Sequence, residues 1–145
     1  MKIIKEETKN ALFVGSFTYF KMGHFDVVKR ALKVFDYVYI APSINEEKNN
    51  ENSLEERYLK LKNKFKNFKR IEIIKNTGDS SSLAKKLNAS IVRGVRIDDE
   101  NIFIRDSLYE KKLIQYYEEH GVECFVVYNK SNSEEFFPEN YQIDY

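Results

Sequence analysis

The feature that most constrains the fold is an alternation of short apolar runs with stretches of helical spacing. "ALFVG" (11–15), "YVYIA" (37–41), "RIEII" (70–74), "ASIVRG" (89–94) and "ECFVVY" (123–128) are brief and rich in β-branched and aromatic residues, as buried strands require. After the first run, Val27, Val28, Ala31, Leu32 and Phe35 fall on one face of a helix opened by Gly23 and His24. After the second, Ser53 and Glu56 have capping-box spacing ahead of an apolar face of Leu54, Tyr58, Leu61 and Phe65. "SSLAKKL" (81–87) predicts a short helix, and a charged helix is expected from about 99 to 119, with Ile104, Leu108 and Tyr116 among its apolar positions. Strands joined through helices must run parallel, so the expected fold is α/β: one doubly wound, parallel, five-stranded sheet with helices on both faces. The expected organisation is a single domain over 1–145, with 1–10 as an N-terminal extension and 129–145 as a short C-terminal tail.

Composition narrows the function classes. A net charge of +1 argues against bulk nucleic acid as the main partner. No apolar run is long enough to span a bilayer, and the N-terminal segment lacks a signal-peptide apolar region, so no membrane association and a cytoplasmic location are expected. Cys124 is the single cysteine, which excludes an internal disulfide and agrees with a reducing compartment. It is read as a small buried hydrophobe in its strand, and His120 with Gly121 as a helix C-terminal signal.

In doubly wound sheets ligands bind beyond the carboxyl ends of the strands. At the exit of the first strand, Gly15 permits a tight turn and Ser16 offers a hydroxyl and an N–H. Gly23 and His24 then open a helix, whose N-terminus favours a phosphate, and an imidazole there can donate to a phosphoryl oxygen, more strongly if protonated. At the exit of the fourth strand Arg93 and Arg96 flank Gly94, and guanidinium groups match phosphate oxygens. The blander readings are an incidental helix-start histidine and ion pairs between the arginines and Asp98, Asp99 or Glu100. The polar stretch 42–52 is long enough for a functional loop.

"GSF…GH" on the first turn, "APS…K…SLEER" after the second strand and "VRGVR" after the fourth resemble, in order, the phosphopantetheine adenylyltransferases of the HxGH nucleotidyltransferase superfamily. The resemblance runs from about 11 to 128 and implies a Rossmann-like nucleotidyltransferase fold. The activity it implies is AMP transfer from ATP to 4′-phosphopantetheine with release of pyrophosphate, in coenzyme A biosynthesis, with Mg²⁺ as the implied cofactor. It assigns catalytic roles to His24 and Lys48, nucleotide contacts to Ser16, Phe17, Lys21, Gly23, His24, Gly94, Val95 and Arg96, and acceptor contacts to Ser16, Lys48 and Arg93; it implies no protein metal ligand. The implied partners are ATP or another nucleotide and a phosphopantetheine-like molecule, with a homo-oligomer, hexameric in that family. The chain departs from the family pattern in Thr18 and Tyr19 after Phe17, in Lys21 at the first position of the GH motif, and in Phe103 where the family has a glutamate. It also lacks a clear serine-rich ISSS/ISTT segment after the fifth strand, where Ser131 and Ser133 are a weak echo. The alternatives are a cytidylyltransferase-type relative with another phosphorylated acceptor, and a non-catalytic member that binds a nucleotide or acts through protein contacts.

Overall fold

The computed structural model describes residues 8–44, 53–98, 101–104, 107–129 and 137–138. The elements are β1 (Asn10–Gly15), α1 (Met22–Leu32), β2 (Tyr37–Pro42), α2 (Leu54–Lys64), β3 (Ile71–Ile73), α3 (Ser80–Lys86), β4 (Ala89–Asp98), β5 (Asn101–Ile104), α4 (Ser107–Glu119) and β6 (Cys124–Asn129). Parallel pairing runs β3-β2-β1-β4, and β6 adds in parallel to the far side of β4. The five parallel strands are those expected from the apolar runs.

β1 shows why the sheet needs cover on both faces. Ala11 and Phe13 pack with Phe25, Val28, Phe65 and their neighbours, while Leu12 and Val14 pack with Ala84, Ile91, Tyr117 and Val122 on the other face. All four β1 side chains are buried, so their period-two geometry serves two cores rather than one. Arg70 closes the C-terminus of α1 by donating to the carbonyls of Leu32, Phe35 and Asp36. Ser53 Oγ accepts from Glu56 N–H at 3.1 Å and starts α2 as its sequence suggested. After α4, Gly121 takes φ +71°, the left-handed turn that ends a helix. Cys124 is half-buried, and burial pushes its thiol up to about 11.

One region departs from expectation. β4 does not stop at Gly94 but continues to Asp98, then pairs antiparallel with β5 through Ile97–Ile104 and Asp98–Asn101. The helix expected from about 99 begins at Ser107, so Phe103 and Ile104 belong to a strand. The cause is local: in "VRGVRID" (92–98) the apolar Val95 and Ile97 alternate with the charged Arg96 and Asp98, which is strand period. Arg93 and Arg96, expected just beyond the strand, are therefore inside it, and β4 remains paired with β6 as far as Arg96–Asn129. Among the described residues no helix is long and apolar enough to cross a membrane.

Candidate active site

β1 pairs with β2 along its whole length, ending at Gly15–Pro42, but with β4 only as far as Phe13–Val92. The chain leaves β1 toward β2 on one side, while β4 lies on the other. The switch point of the sheet therefore falls between β1 and β4, where the two strands part and a doubly wound sheet offers its crevice. Gly15 and Ser16 follow the parting on one side, Arg93 and Gly94 on the other. The "GSF" and "VRG" segments thus reach adjacent strands, as their sequence positions implied.

α1 comes close to this crevice because Gly94 has no side chain. A Cβ there would stand 2.6 Å from Cγ2 of Val27. Gly94 therefore has a packing duty, and Val95, 3% exposed, offers a ligand only its backbone. The helical ladder of α1 starts with Phe25 N–H on Lys21 C=O at 3.1 Å, so the N–H groups of the first turn point toward the N-terminal end of the helix. Lys21 is the N-cap residue, half-buried.

His24 is held by a specific contact: the backbone N–H of Lys21 donates to its Nδ1 at 3.0 Å. An N–H aimed at Nδ1 leaves no place for a proton there, so the ring is a neutral imidazole with its hydrogen on Nε2. Aromatic rings wall the imidazole: Phe17 edge-on at 5.4 Å, Phe20 at 5.3 Å and Phe13 at 6.3 Å between centroids.

The Phe17 ring is buried in the core against Phe13 and Phe20, which leaves its backbone as the part that faces the turn. Its φ is +47°, a conformation that costs a bulky residue roughly 1–3 kcal/mol. Gly15 makes room for it, since a Cβ at Gly15 would lie 2.9 Å from the Phe17 ring. The turn after β1 is thus shaped so that Phe17 backs His24 from below.

Two positioning residues escaped the sequence reading. Arg57 of "SLEER" is buried and donates from Nη1 to the carbonyls of Ser16 and of Ser43, the latter at 2.8 Å. It clamps the exits of β1 and β2 together, and desolvation lowers its pKa without discharging it. The signal was present: Arg57 sits three residues after Leu54 and four before Leu61, on the apolar face of α2. Buried Asn76 donates from Nδ2 to Ser43 Oγ and Ser80 Oγ, each at 3.0 Å, and ties the β2 exit to α3.

Arg93 is ion-paired with Glu110 of α4: its Nη2 meets Glu110 Oε1 at 2.7 Å. The serines of "DSSS" (79–82) are engaged as well. Ser81 Oγ donates to Asp79 Oδ2 at 2.5 Å, Ser82 Oγ donates to the same oxygen at 3.0 Å, and Tyr116 OH donates to Oδ1 at 2.5 Å. Lys48, Ser131 and Ser133 lie outside the described residues, and of Arg96 only the backbone is described. Among the described residues no three His, Cys, Asp or Glu side chains cluster so as to hold a metal ion. An open groove of about 640 Å³ lined by Asn10, Phe35, Asn88, Ser90 and Phe125 lies at the amino ends of β1 and β4, away from the crevice.

Residues 12–137 match the model of the cytidylyltransferase-like family. A phosphopantetheine adenylyltransferase of Malacoplasma penetrans is 35% identical over 128 residues, covering 86% of this chain and 81% of the relative. One of the same name from Mycoplasma mycoides subsp. mycoides is 40% identical over 90 residues, 61% of this chain and 64% of the relative, just short of two thirds of its length. Among solved structures, the lipopolysaccharide core biosynthesis protein of Thermoplasma volcanium superposes with TM-score 0.60 at 16% identity, over 88% of this chain and all of that one. A bifunctional NMN adenylyltransferase/ADP ribose pyrophosphatase of Francisella tularensis, complexed with AMP and a manganese ion, gives 0.55 at 16% identity over 87% of this chain and 38% of its own. The structural likenesses speak for the fold.

Proposed function

The chain belongs to the cytidylyltransferase-like family, on its phosphopantetheine adenylyltransferase branch, and we propose that it transfers AMP from ATP to 4′-phosphopantetheine as one nucleotidyltransferase domain. The observation that carries this reading is His24 in the first turn of α1, its Nδ1 held by Lys21 N–H so that Nε2 is its donor, beside the β1–β4 switch point.

The reaction asks little covalent help of the protein. The acceptor's phosphate oxygen attacks the α-phosphorus of ATP in line, the bond to the β-phosphate oxygen breaks, and pyrophosphate leaves with that electron pair. A phosphate nucleophile is already anionic, so no general base is needed. The protein's share is to align the reactants and to meet charge that builds on the α-phosphoryl oxygens. An imidazole donating from Nε2 suits that task. Gly23 and the α1 N-terminus add their N–H groups, and Ser16 lies at the junction of the two substrates. Lys48 and Arg93 meet the acceptor phosphate; Lys21 and Arg96 approach the ATP phosphates, with Gly94 and Val95 contributing backbone. Phe17 is left out of this assignment as a direct contact and kept as the wall of His24.

A divalent ion, Mg²⁺ in this reading, enters with the substrate's phosphates, as that ion is bound in phosphoryl-transfer sites. A cytoplasmic setting and a homo-oligomer complete the proposal; the lone cysteine and the exposed Val34, Phe125 and Tyr128 accord with them. The test is pyrophosphate release from ATP with and without 4′-phosphopantetheine, beside CTP with glycerol 3-phosphate. Release dependent on the first pair supports the reading. Release with the second pair alone moves the chain to a cytidylyltransferase, and none with either, with no nucleotide-dependent rise in melting temperature, overturns it.

A further inference from the structure

After β6 the structure describes Phe137 and Pro138, and Phe137 is 1% exposed. Its ring stacks on Phe65 at 5.1 Å and 8°, lies 4.5 Å from Phe25, and meets Phe20 edge-on at 5.7 Å. Its backbone is pinned at both ends: Lys64 Nζ donates to its carbonyl at 2.8 Å, and its own N–H donates to Phe20 C=O at 2.9 Å.

Phe20 C=O and Lys21 N–H are the two ends of one planar peptide unit. That same N–H is the donor on His24 Nδ1. Phe137 N–H, the 20–21 amide and the imidazole therefore stand in series. Fixing the carbonyl fixes the direction of the N–H, and a donor on the oxygen polarises the amide into a stronger donor. The Phe20 ring, held by Phe137, also packs 5.3 Å from the His24 ring.

We propose that Phe137 is a positioning residue for His24: the tail pins the 20–21 peptide and thereby holds the imidazole in the tautomer with its hydrogen on Nε2. The consequence for turnover rests on the adenylyl-transfer reading; the claim about the tautomer does not.

The experiment is a long-range ¹H–¹⁵N correlation on the uniformly ¹⁵N-labelled full chain at a pH where the rings are neutral. The chain has two histidines, so a His120→Gln variant assigns His24 by elimination. The wild type is expected to show His24 with hydrogen on Nε2. Phe137→Ala is expected to bring in the Nδ1–H form, and Phe137→Leu, which keeps an apolar anchor and the N–H, to restore most of the original ratio. If the alanine chain does not fold, Lys64→Met loosens the same anchor at the Phe137 carbonyl and is read instead. A folded variant with the wild-type tautomer ratio overturns the proposal, as does a wild type with hydrogen on Nδ1. If the wild type transfers AMP, kcat in Phe137→Ala should fall roughly 10- to 100-fold with KM for ATP nearly unchanged. A wild type that transfers nothing sinks the functional reading and leaves the spectroscopic result standing.

Discussion

Glu110 grips the guanidinium of Arg93 at two points, 2.7 Å from Nη2 and 3.3 Å from Nε, and only 13% and 17% of the two side chains are exposed. On the proposed reading, an acceptor phosphate approaching Arg93 meets a guanidinium already paired with Glu110. Glu110→Gln keeps a hydrogen-bonding partner and removes the opposing charge. KM for the acceptor is expected to fall by about 5-fold, or roughly 1 kcal/mol, with kcat little changed. Steady-state kinetics at fixed ATP decide it; a rise in KM would mean that Glu110 orients Arg93 rather than competing for it.

His24→Ala removes the donor that the mechanism places on the α-phosphoryl group. Loss of one such donor costs about 10²- to 10³-fold in kcat. The ring is only half-buried, so urea unfolding should show a much smaller change than the kinetics do. Near-wild-type turnover in a folded variant would take His24 out of the chemistry.

Arg57→Met leaves the carbonyls of Ser16 and Ser43 without their shared donor in a buried place. Each orphaned group costs about 1–3 kcal/mol, and a lower urea midpoint with an unchanged m-value is the expected reading. Because the clamp joins the β1 and β2 exits, kcat should also drop in the folded fraction. Stability equal to wild type would show that other groups hold the turn.

The strands and helices were legible because their patterns are local. "ALFVG" and "YVYIA" have strand composition and nothing else to become, and α1 shows its buried face at helical spacing. The β4–β5 hairpin was missed because a charge-rich stretch ending in Ile104 and Leu108 also fits a helix, and only pairing with β4 decides for a strand. The position of His24 was readable from "GH", but its tautomer was not. That depends on Lys21 N–H, and through it on Phe137, more than a hundred residues along the chain. The partner of Arg93 was hidden for the same reason, since Glu110 reaches it only when α4 packs on the sheet. Arg57 was within reach, because an arginine on an apolar helix face must find buried acceptors.

Gly94 sits under Val27, and the fit can be tested by a cycle. A methyl at Gly94 would stand 2.6 Å from Val27 Cγ2, so Gly94→Ala should destabilise by about 1–3 kcal/mol through overpacking. Val27→Ala alone leaves a small cavity. The two together should lose less than the sum of the singles, because each change makes room for the other. Additive losses in urea unfolding would show that α1 has moved off β4 rather than pressing on it.

Asp79 and Tyr116 set opposite pH limits on the packing of α3 against α4. The hydroxyls of Ser81 first, then Tyr116, hold the Asp79 carboxyl well below the usual carboxylate range. Donation to Asp79 in turn raises the Tyr116 phenol. A carboxyl lowered in the folded state adds stability above its unfolded value of about 3.9, and that contribution drains away as pH falls below it. A phenol raised in the folded state adds stability below about 10, and loses it as pH climbs through the folded value. The stability gap between wild type and Asp79→Asn should therefore be flat from pH 7 to 5 and shrink below pH 4. The gap between wild type and Tyr116→Phe should instead shrink above pH 10. Urea unfolding of the three chains across that range measures both arms. A gap for Asp79→Asn that persists unchanged at pH 3 would mean the three hydroxyls hold the neutral carboxyl as tightly as the charged one.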